Sequence, residues 1–200
     1  MSKNLLIIFV KNIKLGKVKT RLAKTVGNEN AFTIYSALVE VTEKATLKVD
    51  VDKRIYFSDA IVNKKWPNDF KTVQKGINLG ERMSNAFQDG FSDGYENIIL
   101  IGSDLPNISS EIIDLGLKEL EEKEIVFGPA EDGGYYLIGM SKLHNCVFEN
   151  KAWSTSSLLD YTLSELKRKN IEASLIETLN DIDTFEDLQA YPEFLKLISK

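Results

Sequence analysis

The chain contains one cysteine, Cys146, and one histidine, His144, in 200 residues. A single cysteine excludes an internal disulfide framework and a cysteine-rich zinc site. It suits a reducing compartment, so a cytoplasmic protein is expected. A single histidine outside every motif described below gives little support to a Ser-His-Asp or Cys-His mechanism. Both residues are read as structural. Long hydrophobic runs are also missing. The run near the start, Leu5 to Val10, is six residues long and lies between Lys3 and Lys11. It is too short for a signal h-region or a bilayer span and reads as a first buried strand, so no membrane partner is expected. There is no Walker A spacing and no GxGxxG, which removes the fingerprints of P-loop ATPases and Rossmann dehydrogenases. No repeat, low-complexity tract or Pro/Gly/Ser linker divides the chain, and one domain over 1–200 is expected.

What is present is globular: 43% hydrophobic and 28% charged residues, enough for a substantial core. The net charge of −5 is unevenly spread. Of the 25 Lys and Arg, seven lie in residues 1–28, where there is no acid; the remaining 18 face all 30 Asp and Glu. An acidic chain with one basic corner lacks the extended basic face that nucleic acid needs, so no nucleic-acid partner is expected. The corner suits a small phosphorylated ligand, and a solvated lysine-rich loop is the plainer alternative. Apolar runs predict strands at 5–10, 54–57, 70–73, 97–101, 125–127, 135–140 and 171–176. Helical periodicity predicts helices at 28–48, from 79 onward after Asn78, and at 109–122, 156–169 and 184–198. The helix after Asn78 is expected to bury Leu79, Met83, Ala86 and Phe87. Such alternation predicts an α/β fold, a mostly parallel sheet between helices, whose ligands bind at the loops beyond the strands' carboxyl ends.

Four such loops have unusual compositions. The first, 11–21, offers Gly16 for a tight backbone path and Lys11, Lys19 and Arg21 as cations for phosphate oxygens. The second, Gly102-Ser103-Asp104-Leu105-Pro106, puts a carboxylate at a strand's carboxyl end. Such a group can hold Mg²⁺ against a diphosphate, and an Asx-turn with Ser109 capping the next helix explains it equally well. In the third, 128–136, Gly133 and Gly134 let backbone N–H groups approach a ligand, while Glu131 and Asp132 offer a base or metal ligand. An ordinary Asp-Gly-Gly hairpin turn is the alternative. In the fourth, Thr184 and Asp187 form a capping box, leaving Asp181 and Asp183 free to reach a metal. Trp153-Ser154-Thr155-Ser156 is comparable: its hydroxyls can cap a helix whose N–H groups receive an anion, and Trp153 is core or a stacking platform.

Six strings occur in order through nearly the whole chain: KxxxxGKVKTRLA, QKGxNLGERM, GSDLP, GPAEDGGYYLIGM, WST and DIDTFEDL. Together they resemble the glycosyltransferase-like group known as radical-SAM/selenodomain-associated transferase 1, some of whose members are assigned to arsenosugar biosynthesis. That group belongs to the nucleotide-diphospho-sugar transferase superfamily with the GT-A fold. VKTRLA and GSDLP also look like motifs of 2-phospholactate guanylyltransferases. Ile13 stands where the family often has proline, which loosens the loop and removes no functional group. The resemblance implies a single GT-A-like domain that takes a nucleotide or nucleotide-sugar, a small-molecule acceptor and Mg²⁺ or Mn²⁺. It places Lys11, Lys19 and Arg21 at the phosphates, Asp104 and Asp183 at the metal, and Gln74, Gly80 and Arg82 along the nucleotide or sugar. Asp132 is expected to orient or deprotonate the acceptor, with Gly133, Gly134, Trp153, Ser154 and Thr155 beside it. Glycosyl transfer is favoured by the paired tyrosines of DGGYYLIGM, which can pack on a sugar. Nucleotidyl transfer with release of pyrophosphate is favoured by VKTRLA, and a non-catalytic nucleotide-binding module is the third reading.

Overall fold

In chain order, the computed structural model, which describes residues 3–198, has β1 (Asn4–Val10), α1 (Thr20–Val26), α2 (Asn28–Thr46), β2 (Asp52–Phe57), β3 (Phe70–Val73), α3 (Leu79–Ser92) and β4 (Asn97–Ile101). There follow α4 (Ser110–Glu119), β5 (Ile125–Pro129), β6 (Tyr135–Met140), α5 (Leu158–Arg168), β7 (Ala173–Leu175), α6 (Phe185–Gln189) and α7 (Pro192–Leu195). The seven strands form one sheet in the order β3-β2-β1-β4-β6-β5-β7. All neighbours are parallel except β6, which runs antiparallel to β4 and β5. Its direction follows from the short turn joining it to β5, since parallel neighbours need a long crossover. The sheet is the expected α/β sandwich, mostly parallel and mixed.

β1 is apolar throughout because both of its faces are covered. Leu6, Ile8 and Val10 join a cluster with Tyr35 and Val39 of α2 and Ile113 of α4. Leu5, Ile7 and Phe9 join Met83 and Phe87 of α3 and Leu159 of α5. A third cluster packs Leu22 of α1 and Ile34 and Leu38 of α2 against Ile182, Leu188 and Phe194. It ties the loop after β1 to the carboxyl-terminal segment and thereby brings residues 162 positions apart into contact.

Several expected boundaries shift. A helix, α1, starts at Thr20 inside the region read as a loop. The single helix expected over 184–198 is two short ones, because Pro192 opens α7 and cannot extend α6. α5 begins at Leu158, two residues later than expected. Leu79 is 46% exposed rather than buried, since it starts α3 on the side facing the functional cavity. Asn78 does cap α3 by accepting from Glu81 N at 2.9 Å, but Glu81 Oε2 accepts from Ile77 N at 3.0 Å, one residue short of a reciprocal capping box. Among the described residues no helix is long and apolar enough to cross a membrane.

Candidate functional site

The loops after β1, β4 and β7 meet at Lys19. This residue precedes α1 with a left-handed backbone (φ 44°), a conformation that costs a non-glycine residue about 1–2 kcal/mol. Its side chain is 5% exposed, and its Nζ donates to Asp104 Oδ2 at 3.0 Å and to Asp181 Oδ2 at 2.9 Å. Asp183 Oδ1 lies 3.9 Å from the same nitrogen. Burial alone would make the ammonium easier to deprotonate, but attraction from Asp104 and Asp181 outweighs it and holds the pKa above the usual lysine value. For Asp181 the balance falls the other way. Burial raises its pKa, Lys19 opposes that, and the neighbouring Asp104 and Asp183 add to it. Arg21, mostly exposed, donates from Nη1 to Asp183 Oδ2 at 3.0 Å. Three carboxylates and two cations leave this cluster with excess negative charge.

Two residues that sequence reasoning did not assign to the site hold its loops in place. Tyr35, on α2, places its hydroxyl 3.0 Å from Ser103 Oγ; it also accepts from Lys11 N and donates to Lys11 O. The loops of β1 and β4 are thus tied together, and burial pushes the phenol up to about 12. Buried Asn12 accepts from Asp59 N at 2.8 Å and donates to Ala60 O at 2.7 Å, joining the β1 loop to the β2 loop. Both contacts span distances in sequence that no local pattern signals.

Of the other residues expected at the phosphates, Gly16 has a positive φ of 72° in a turn closed by Lys17 N donating to Lys14 O. The Lys11 side chain is exposed. Gln74 and Arg82 bind each other (Arg82 Nη1 to Gln74 Oε1, 3.4 Å), while Arg82 Nε donates to Gly76 O at 3.1 Å. Arg82 lines a groove between α3 and the edge strands rather than the cavity beside Lys19. Gly80 is tightly packed: a Cβ there would sit 2.6 Å from Phe148 O and 2.7 Å from the Trp153 ring. That contact requires glycine without any ligand.

A cavity of about 260 Å³ opens beside the cluster on the α3 and α5 side of the sheet. Its charged groups are Asp104, Asp132 and Asp181, and its apolar wall includes Leu79, Leu100 and Trp153. Gly134, Ser154 and Thr155 also line it, so most of the acceptor-side residues are brought together, whereas Gly133 and Asp183 do not line it. Asp132 stands in the hairpin between β5 and β6 and accepts from Gly134 N through Oδ1 at 2.8 Å. Gly133 (φ 87°) is there for space: a Cβ would sit 1.9 Å from the Ser156 carbonyl oxygen. Thr155 Oγ1 donates to Ala152 O, and Ser157 precedes α5 without capping it through its side chain, so the expected hydroxyl cap is not formed. Tyr135 packs against one core cluster and Tyr136 against the other, and both residues line this cavity. His144 lies apart, 2.7 Å from Glu124 through Nε2.

Residues 41–155 match the family described as an uncharacterized protein conserved in bacteria (DUF2064), and the chain belongs to that family. Among solved structures, a candidate nucleotide-diphospho-sugar transferase from Desulfovibrio desulfuricans G20 superposes with a TM-score of 0.89 and 33% identity. The alignment covers 95% of this chain and 86% of that one. CMP:2-keto-3-deoxy-manno-octonic acid synthetase, complexed with CTP, has a TM-score of 0.59 at 10% identity over 98% and 99% of the two chains. 4-Diphosphocytidyl-2C-methyl-D-erythritol synthase from Anaerococcus prevotii DSM 20548 also has a TM-score of 0.59, at 9% identity over 98% and 100%. These two share the fold alone. No curated protein matches the chain. The fold is that of the nucleotide-diphospho-sugar transferases.

Proposed function

We propose that this protein is a metal-dependent transferase that takes a nucleotide-sugar and passes its glycosyl group to a small-molecule acceptor, as a member of the radical-SAM/selenodomain-associated transferase 1 group. The observation that carries the reading is the meeting of Asp104, Asp181 and Asp183 around Lys19, beside a cationic loop and a cavity. The donor set fits Mg²⁺ or Mn²⁺. Among the described residues no three His, Cys, Asp or Glu side chains enclose an ion by themselves, and Mg²⁺ prefers one or two carboxylates completed by phosphate oxygens and water. Asp104 and Asp181 are the better pair, because both share the Lys19 ammonium while Asp183 is engaged by Arg21. When bound there, the ion supplies Lewis-acid neutralisation of the diphosphate.

Arg21 and Lys11 then hold the phosphates, and Asp132 orients the acceptor hydroxyl from across the cavity. As the acceptor oxygen bonds to the anomeric carbon, the carbon–oxygen bond to the diphosphate breaks. The hydroxyl proton passes to Asp132 and the charge stays on the nucleoside diphosphate. Asp104→Asn should keep the fold yet lose most Mn²⁺-dependent nucleotide binding, because an amide is a poor ligand for a hard cation. Calorimetry showing equal Mn²⁺-dependent affinity would remove Asp104 from the site. Arg21→Ala should weaken nucleoside diphosphate binding far more than nucleoside binding, since only phosphates use the guanidinium fork. Equal losses for the two ligands would make Arg21 a structural residue.

Nucleotidyl transfer is the second reading. It is supported by the likeness of VKTRLA to the guanylyltransferase loop. Product analysis distinguishes the readings: release of nucleoside diphosphate supports glycosyl transfer, and release of pyrophosphate overturns it.

A further inference from the structure

Three neighbouring loops at one corner of the molecule hold aliphatic side chains in water at their tips. Leu15 is 58% exposed after β1, Ile61 is 45% exposed after β2, and Ile77 is 86% exposed after β3. β1, β2 and β3 are parallel neighbours at one edge of the sheet, so these loops leave the same end next to one another. Exposed aliphatic residues scattered singly need no explanation. These are grouped, and their loops are fixed at the base. Leu15 and Gly16 (φ 72°) form the turn that Lys17 N closes on Lys14 O. The Asn12 side chain holds Asp59 N, Ala60 N and Ala60 O immediately before Ile61. Ile77 N donates to Glu81 Oε2, and Gly76 lies so close to α3 that a Cβ there would meet Arg82 N at 2.8 Å. Lysines stand among the aliphatic tips: residues 11–18, 60–65 and 75–79 hold Lys11, Lys14, Lys17, Lys64, Lys65 and Lys75, and no acid. Lys14 pairs with Asp59 and Lys65 with Glu43, whereas the other ammonium groups have no ion-pair partner among the described residues.

We propose that this corner docks on the surface of an anionic lipid bilayer, with Leu15, Ile61 and Ile77 entering at headgroup level and the lysines meeting lipid phosphates. Docking of this kind needs no part of the transferase reading. Composition selects lipid over a protein partner. Protein interfaces are anchored by Trp, Tyr and Arg and are poor in Lys. The three segments contain no Trp, Tyr, Phe or Arg and are rich in Lys. Aliphatic tips among lysines suit a surface where apolar burial and attraction to anionic headgroups add together. A nucleic acid would engage the lysines through its phosphates and leave the aliphatic tips unmatched. Asp104, Asp132 and Asp181 stand in the loops beyond β4, β5 and β7, toward the other side of the sheet, so an anionic surface meets this corner alone. Leu79, 46% exposed, follows Ile77 closely and also lines the cavity, so docking brings the cavity mouth beside the lipid. Peripheral contact needs no segment long enough to span the bilayer.

The experiment is flotation of the full chain with vesicles of phosphatidylcholine alone and of an equimolar mixture with phosphatidylglycerol, at low and at high ionic strength. Wild type should bind the anionic vesicles about tenfold or more tightly than the neutral ones, and high ionic strength should abolish that preference. Lys17→Gln combined with Lys64→Gln should weaken binding to the anionic vesicles about 25-fold, at about fivefold for each lysine near the surface. Ile61→Ser combined with Ile77→Ser should weaken it about tenfold or more by removing apolar contact. Both double variants should melt at the wild-type temperature, because every substituted side chain faces water. No binding to either vesicle, equal binding to both, or binding that survives either double substitution overturns the assignment. Sedimentation velocity without lipid tests the other occupant. A dimer that forms in wild type and fails in the Ile61→Ser/Ile77→Ser protein gives the corner to a second copy of the chain and overturns the assignment too.

Discussion

Lys19→Met should lower the melting temperature by about 5–10 °C and at the same time raise the affinity for Mn²⁺ in the absence of nucleotide at least tenfold. Removing one partner of a buried ion pair costs about 3–5 kcal/mol because a buried charge is left uncompensated. Here the lysine is almost fully buried but the carboxylates are about one-third exposed, so water relieves part of the penalty and about 2–3 kcal/mol is expected. For a chain of this size each kcal/mol shifts the melting temperature by about 2–4 °C. The gain in metal affinity has the same origin. In the wild type an ion must compete with an ammonium 2.9–3.0 Å from Asp104 and Asp181, and in the variant those oxygens are free. A divalent ion should therefore stabilise the variant more than the wild type. The stability gap should also narrow as pH falls. Burial already raises the pKa of Asp181, and losing Lys19 removes the attraction that opposes this, so the penalty is present above that raised pKa and disappears as Asp181 is protonated. The measurement is thermal melting of both proteins at several pH values, with and without Mn²⁺. Unchanged Mn²⁺ affinity in the variant would show that Lys19 does not stand in a cation position.

The sheet was legible because its strands obey simple rules. Leu5 to Val10 is an uninterrupted apolar run because both faces are covered, and β3, β4 and β6 fall within the residues that their patterns mark. The rule that ligands collect beyond the carboxyl ends of parallel strands directed attention to the loops that do meet. What stayed hidden depends on three-dimensional pairing. α1 is short and rich in cations, and it owes its existence to Leu22 packing against Ile34 and Ile182 rather than to a periodic pattern. That Asp181 bonds to Lys19 while Asp183, two positions on in the same loop, bonds to Arg21 is a pairing no local pattern signals. Tyr35 and Asn12 act through partners 68 and 46 residues away.

Asp132→Ala should reduce turnover by roughly two to four orders of magnitude, the usual size of a general-base contribution, while leaving nucleotide affinity nearly intact. The geometry makes this a demanding test because Asp132 also has a structural task. Its Oδ1 accepts from Gly134 N at 2.8 Å within the turn that joins β5 to β6. Losing that bond alone should cost about 0.5–1.5 kcal/mol, a shift of a few degrees in melting temperature. The turn has other supports: Ala130 N donates to Gly134 O and Gly133 N to Ala130 O, both at 3.0 Å, and Leu159 N donates to Gly133 O. The hairpin should therefore survive the substitution, and Gly133 should remain against Ser156. Asp132→Asn separates the two tasks more cleanly, because an amide oxygen still accepts from Gly134 N but cannot take a proton from an acceptor hydroxyl. Turnover and melting temperature measured on both variants give distinct patterns. Low turnover in both, with stability restored only in the asparagine variant, is the outcome expected of a base that also closes a turn. Normal turnover in both, with melting lowered only in the alanine variant, would leave Asp132 as a turn residue and move the search for the base to Glu131, its exposed neighbour in the same loop.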